Sequence, residues 1–336
     1  MRALVLHGPG SYKVEEDWPK PVTKPGWARI RVHYAGICGS DLPRFTRTGS
    51  YHHPMVLGHE FSGVVDSPAP GSTKFAVGDR VAILPIIPCG NCPGCRKNEP
   101  FHCDNYQFIG SRNDGGFAEY CLVPESNLFS LPNGIDISLG ALIEPLLVGL
   151  HVVRRSGFTP GQSALVFGAG PIGLLTGLWL EVFGASRIVI ADIRTESIEL
   201  ASQIGFTETV NPLDEEFTSI TGFDHTFEAA GANQALLDAI YRTRNKGTLT
   251  VIGRDIKDTA IPLKTFETMM RRELDIKGCW GYKIEDESHF LRQTMLRKQS
   301  QIERLITHRV TLDEAVDVIR LMSEGEMHYC KVLVRI

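Results

Sequence analysis

Residues 163–173 read SALVFGAGPIG. A short apolar run ends on Phe167, and Gly168, Gly170 and Gly173 then fall at the spacing G-x-G-x-x-G. Behind them stands a long apolar stretch, Ile172–Phe183. A strand that turns through such glycines into a helix suits a dinucleotide. The first glycine permits the tight turn, and the second lets the backbone approach a pyrophosphate. The third lets helix and strand pack closely, with the phosphates against the helix N-terminus. Pro171 and Ile172 open that helix. The next expected strand, Arg187–Ala191, ends at Asp192, about twenty residues past the glycines, where a carboxylate accepts ribose hydroxyls. A negative Asp192 repels a 2′-phosphate, so the reading is NAD rather than NADP. Arg194, two residues on, is the one feature that leans the other way.

Working outward, the rhythm predicts alternation: a helix over Glu196–Ile204, a strand over Asp224–Glu228, a helix over Gln234–Thr243 and a strand over Thr248–Ile252. A helix over Lys264–Arg272 and a strand over Asp275–Cys279 follow. Strands alternating with helices of this size imply a doubly wound parallel sheet with helices on both faces. Upstream the texture differs. Arg2–Leu6, Trp27–Tyr34, Gly63–Val65, Arg80–Leu84 and Ala118–Val123 read as short strands between Gly, Pro and Asp punctuation. The first helical stretch there is Ile137–Arg155. The tail carries a helix over Asp313–Ser323 and a strand over Lys331–Arg335.

At 336 residues two domains are expected. A hydrophobic fraction of 43% and a charged fraction of 22% are those of an ordinary globular protein. The net charge of −4 gives no basic footprint for nucleic acid. No apolar stretch approaches a membrane span, and the opening MRALVLHGPGSYKVEE lacks the apolar core and cleavage site of a secretory leader. The expectation is a cytoplasmic protein with reduced thiols and neither nucleic acid nor membrane as a partner.

Four of the eight cysteines sit in one loop, PCGNCPGCRKNEPFHCD at 88–104. Cys89, Cys92, Cys95 and Cys103 have the spacing C-x2-C-x2-C-x7-C, which can fold back to offer four thiolates tetrahedrally, the requirement of a closed structural zinc site. A ferredoxin run would place its fourth cysteine after three residues and follow it with proline. Here the gap is seven and Asp104 follows. Without a secretory route the pattern reads as metal rather than disulfide.

Cys38 in GICGSD (36–41), His59 and Glu60 in GHE (58–60), and Glu144 in IEP (143–145) are far apart in sequence, and spacing does not assemble them. A resemblance does. GHE, the cysteine loop and GAGPIG, in this order, resemble the zinc-containing medium-chain dehydrogenase/reductase family over essentially the whole chain. CGSDLPR (38–44), GHEFSG (58–63), FIGSRNDGGFAEY (108–120) and the segment around IEP look like its polyol-dehydrogenase branch.

The resemblance implies an α/β fold, a Rossmann domain at 147–285 beside a β-rich GroES-like catalytic domain at 1–146 and 286–336, with the zinc lobe at 88–104. It implies two zincs per chain, one structural and one catalytic. The catalytic zinc is held by Cys38, His59 and a glutamate, with Glu144 favoured and Glu60 as an exchangeable ligand or supporting partner. Leu42-Pro43-Arg44 stands where many relatives carry a proton-passing histidine, so the proton exit runs through Ser40, the cofactor ribose or water, with Ser40 as the expected first acceptor of a relay. The implied reaction moves hydride from a secondary alcohol of a polyol, or of a polyol phosphate of the galactitol 1-phosphate kind, to NAD. Free polyols of the sorbitol type, threonine, and a non-enzymatic regulatory relative are the alternatives. Arg44 is the candidate phosphate contact, since a guanidinium matches phosphate bidentately, and Arg112 and Lys283 are further candidates. Relatives form homodimers or homotetramers.

Overall fold

A computed structural model describes residues 1–254, 260–283 and 287–336, with the side chains of 287–289 excepted. Its contacts divide into two units. The first comprises Met1–Glu144, Glu285–Gln299 and Ile306–Ile336, and the second Pro145–Ile284 and Ser300–Leu305. The expected return to the first domain at 285/286 falls on residues outside those described, and 300–305 group with the second unit.

The second unit is built on six parallel strands in the order Glu208–Val210, Arg187–Ala191, Ser163–Phe167, Phe223–Glu228, Thr243–Val251 and Asp275–Gly278. In sequence order this is 3-2-1-4-5-6, the doubly wound arrangement whose ligand crevice lies where the order reverses, beside Ser163–Phe167. The strands are short apolar runs because helices cover the sheet. Leu165, Phe167, Val189, Phe223, Ile240 and Leu249 form one core. The helix Pro171–Val182 has Leu174 to Leu180 buried without a break, so it is apolar all round.

The first unit holds a three-stranded sheet and a seven-stranded sheet. The larger one runs Leu128–Ser130, Arg80–Ile83, Glu60–Ser67, Trp27–Ile37, Lys331–Arg335 and Ile306–Thr311, with Tyr120–Pro124 also paired to Trp27–Ile37. Alternating residues of Trp27–Ile37, such as Ile30 and Val32, enter a core shared with Leu4, Leu6, Phe45, Phe61 and Phe117. The final βαβ crossover passes through Leu312–Glu324, started by a Thr311/Glu314 capping box and stopped by left-handed Gly325.

Two helices differ from expectation. The helical stretch 137–155 is two helices, Ile137–Gly140 and Ile143–Ser156. Pro145 has no N–H and clashes with a preceding turn, so the helix must begin just before it. An unforeseen helix spans Glu287–Arg304. No helix among the described residues is long and apolar enough to cross a membrane.

Candidate active site

Sheet register assembles what sequence spacing left scattered. Gly36 pairs with Glu60 across antiparallel strands, and Ile37 pairs with Val332 on the other side. Cys38 follows the end of one strand, His59 precedes the start of the next, and Lys331 opens the third. Ligand atoms of Cys38, His59 and Glu60 lie within 4.8 Å of one another, with His59 and Glu60 buried. Among the described residues that cluster takes in Glu60 and leaves out Glu144, the carboxylate favoured from sequence. Glu144 is buried in the first turn of Ile143–Ser156. Burial lifts its carboxyl to about 7, with His59 opposing and the charge of Glu60 adding.

Two further residues of this site were not read from the sequence. Lys331, 2% exposed, donates to both Glu60 oxygens at 2.6 and 2.9 Å and to the Ile37 carbonyl at 3.4 Å. Gly36 makes room for that carboxylate, since a Cβ there would stand 2.4 Å from Glu60 Oε2. Asp41 is fully buried, with Oδ1 3.3 Å from His59 Nδ1. Neither atom has a well-aligned hydrogen bond, but a carboxylate at one ring nitrogen is the usual orienting partner of a metal-binding imidazole. The signal for Lys331 was available: a lysine inside the apolar run YCKVLV has no reason to be there without a buried partner.

The donor set fits a metal. Asp41, Glu60 and Glu144 are buried and interact with one another, half-buried Cys38 lies beside them, and Lys331 is the one buried lysine among the described residues. Burial disfavours a charged His59, yet Asp41 and Cys38 hold its pKa well above the ordinary value. Asp41 Oδ1 and His59 Nδ1 are buried without an aligned hydrogen bond, and a thiol, an imidazole and carboxylates gathered this closely are the donor types a divalent cation takes. Ser40 Oγ donates to Cys38 Sγ at 3.2 Å.

The cysteine loop fits a closed site. All four sulfurs of Cys89, Cys92, Cys95 and Cys103 lie within 4.8 Å of one another. Cys92 and Cys95 stand 3.5 Å apart and Cys89 and Cys95 3.9 Å. A tetrahedral zinc with bonds of about 2.3 Å sets sulfurs about 3.8 Å apart. Backbone N–H groups of Cys89 and Gly90 point at Cys103 and Cys95 sulfurs. Those of Cys95 and Asp104 draw the Cys92 thiol down to about 6.

In the second unit the glycine loop has the form a pyrophosphate needs. A Cβ on Gly173 would lie 1.8 Å from the Gly168 carbonyl, whereas one on Gly170 would meet nothing within 4 Å. The loop is closed where helix meets strand and open where a phosphate would sit, with Gly170 capping the helix and Pro171 and Ile172 beginning it. Asp192, 7% exposed, accepts the Ala169 N–H at 2.8 Å and the Arg194 N–H at 2.9 Å. Arg194 also approaches it through Nε at 3.4 Å.

Of the candidate phosphate contacts, Arg44 and Arg112 meet at one tyrosine, Tyr51. Lys283 is exposed in the second unit.

Comparison with known proteins agrees with this anatomy. Residues 24–133 match the alcohol dehydrogenase GroES-like domain, and residues 171–296 the zinc-binding dehydrogenase family. Galactitol 1-phosphate 5-dehydrogenase of Escherichia coli is 32% identical over 97% of this chain and 98% of its own. Human sorbitol dehydrogenase is 32% identical over 96% of this chain and 93% of its own. A crystal structure of galactitol-1-phosphate dehydrogenase from E. coli superposes with a TM-score of 0.91 at 31% identity, covering both chains completely. One of a Sinorhizobium meliloti zinc-binding dehydrogenase bound to NADP gives 0.90 at 30% identity, covering 100% of this chain and 99% of that one.

Proposed function

We propose that this chain, which belongs to the zinc-containing medium-chain dehydrogenases and is an oxidoreductase of the alcohol and polyol class, oxidises a secondary alcohol of a polyol or polyol phosphate with NAD. The observation that carries the reading is the cluster of half-buried Cys38 with buried His59 and Glu60, beside which Glu144 lies buried, a set with the ligand types of an open zinc site. Relatives that act on galactitol 1-phosphate and sorbitol support the substrate class.

In this reading Cys38, His59 and Glu144 hold a catalytic zinc, and the four loop cysteines hold a structural one. Glu144 is preferred to Glu60 because both Glu60 oxygens already accept from Lys331. A site using both carboxylates would also have no open position. When bound, zinc supplies a Lewis acid that lowers an alcohol's pKa, and the nicotinamide supplies the hydride acceptor. The chain's own groups do the rest. Asp41 orients His59, and Ser40 passes the hydroxyl proton outward. Gly168, Gly170 and Gly173 seat the pyrophosphate, and the buried Asp192 carboxylate takes the ribose and disfavours a 2′-phosphate.

An assembly of two or four copies is supported by Asp275–Gly278 on the sheet edge, where Ile276 is 43% exposed. A cytoplasmic location suits the four loop cysteines, which must stay reduced to hold a metal.

The test is a panel of polyols and their phosphates assayed for NAD reduction, with metal counted before and after chelation. Turnover by a polyol, lost with the metal, and about two zincs per chain are expected. One zinc per chain with no turnover of any polyol would overturn the reading in favour of a structural zinc in a cofactor-binding regulator.

A further inference from the structure

Several arginines of this protein meet carboxylates. Arg2, Arg29, Arg187, Arg244 and Arg320 each stand 2.6–2.8 Å from an Asp or Glu oxygen. Arg44 and Arg112 do not. Among the described residues no carboxylate lies in ion-pair range of either, yet the two converge on one side chain. The Arg112 guanidinium carbon is 4.4 Å from the Tyr51 ring centroid and that of Arg44 is 5.5 Å. Arg112 Nη2 donates to the Tyr51 hydroxyl at 3.3 Å. Two cations facing one phenol repel each other, and an anion between them would relieve that repulsion.

Arg112 is also fixed before any ligand arrives. Its guanidinium stacks 4.2 Å over Tyr106 and donates to the Tyr106 carbonyl at 3.2 Å. Its own carbonyl stands 3.3 Å from His52 Nε2, and Ser50 Oγ donates to the Ser111 carbonyl at 2.7 Å. These bonds pin the 50–52 segment to the 111–112 segment. With two of its five N–H groups used, three remain for a ligand. Prefixing the fork lowers the ordering cost of binding. Tyr51 itself is 60% exposed, so the group opens to solvent.

The pair stands beside the metal cluster. Phe108 packs on His59 with ring centroids 5.6 Å apart, and Tyr106 packs on Phe108 at 6.4 Å. Rings thus run from His59 to the residue under Arg112. Arg44 begins a single π-helical turn, Arg44–Thr48, three residues after Asp41. Burial resists ionisation of Tyr51, but hydrogen bonding from and the charge of Arg112, with Arg44 adding, bring its pKa below the usual phenol value.

We propose that Arg44, Tyr51 and Arg112 form an anion subsite that takes the phosphate of a phosphorylated polyol while the distal hydroxyl reaches the Cys38–His59 pocket. The assignment rests on the polyol-dehydrogenase reading for its organic part and on the guanidinium pair for its phosphate. It makes the enzyme selective for the phosphate ester over the free polyol, because a neutral hydroxyl accepts from a guanidinium more weakly than a charged, bidentate phosphate does.

The experiment measures the ratio of kcat/KM for a hexitol 1-phosphate to that for the free hexitol. Arg112→Ala and Arg44→Ala should each lower this ratio about 10- to 100-fold. Arg47→Ala, an exposed arginine of the same turn, should preserve it. Arg112→Gln, which can still donate to the Tyr106 carbonyl, should fall with Arg112→Ala and so separates lost charge from lost folding. In a second arm inorganic phosphate is titrated without substrate, and tyrosine near-UV absorbance is read against Tyr51→Phe. A saturable change present in the native enzyme and absent in Arg112→Ala supports the subsite. An unchanged ratio, or no saturable change, overturns it. Should no polyol or polyol phosphate be oxidised, the dehydrogenase reading fails, while the phosphate titration still decides the subsite.

Discussion

Replacing Lys331 with Met tests whether the buried ion pair organises the strand ends that carry Cys38 and His59. The Lys331 and Glu60 side chains are 3% and 2% exposed, and their closest approach is 2.6 Å. Burial opposes the ammonium, but Glu60 outweighs it and holds the Lys331 pKa above the ordinary lysine value. Removing the ammonium alone leaves a carboxylate buried without its partner, which costs about 3–5 kcal/mol. The Ile37 carbonyl also loses its 3.4 Å donor. For a unit of this size, that corresponds to a fall in Tm of roughly 6–20 °C. Glu60→Met alone strands the ammonium and should cost a similar amount. The double variant Glu60→Met/Lys331→Met removes both charges from one packed site and should lie within about 1 kcal/mol of the native protein or above it. The assay is urea unfolding of the four proteins, followed by tryptophan fluorescence, to which Trp18 and Trp27 of the first unit contribute, with zinc held in excess. A Lys331→Met cost below about 1 kcal/mol, or single-variant costs that simply add in the double, would refute the claim that the pair acts as one unit.

Asp192→Ala should raise the NADP/NAD ratio of kcat/KM at least about tenfold, since the repelling carboxylate is gone; steady-state rates with both cofactors decide it. Cys92→Ser should lower bound zinc from about two to about one per chain and open residues 88–104 to proteolysis, measured by metal analysis and limited digestion. Burial depresses the His225 pKa to about 4, with the Asp224 charge opposing. The unfolded chain therefore takes up a proton below about 6.5 that the folded chain refuses. Stability of the second unit is full above that value and falls as pH drops towards 4, by about 2–3 kcal/mol. His225→Gln should flatten this slope in denaturation series at pH 7, 5.5 and 4.5, and equal slopes would count against the burial argument.

Much of the second unit was legible because each signal there is local. Ser163–Phe167 and Arg187–Ala191 appear with the expected bounds, as apolar runs between glycine or polar breaks must when both faces of a sheet are covered. Thr243–Val251 begins five residues earlier than expected. Its extension, TRNKG, is polar, and Thr243 is held by pairing with Phe223 rather than by pattern. The helix Glu287–Arg304 escaped notice because its stripe is thin. Leu291, Met295 and Ile302 are buried, but Thr294 and Lys298 interrupt the face.

The site shows the opposite limit. The four loop cysteines declare themselves because a metal with short bonds demands close spacing along the chain. Cys38, His59 and Lys331 carry no such mark, because it is strand register and not sequence distance that brings them together: Gly36 opposite Glu60, and Ile37 opposite Val332. The same logic explains why Asp41 was visible but unread. An aspartate after Gly-Ser looks like a turn residue until His59, eighteen positions later, is seen to lie 3.3 Å away. Antiparallel pairing therefore does two jobs here. It satisfies the backbone of three strands, and it converts three ordinary-looking strand ends into one buried, charged pocket. A shift of one residue between Trp27–Ile37 and Glu60–Ser67 would turn Glu60 to the other face of the sheet. Lys331, bonded to both the Glu60 side chain and the Ile37 backbone, is the residue that resists that slip.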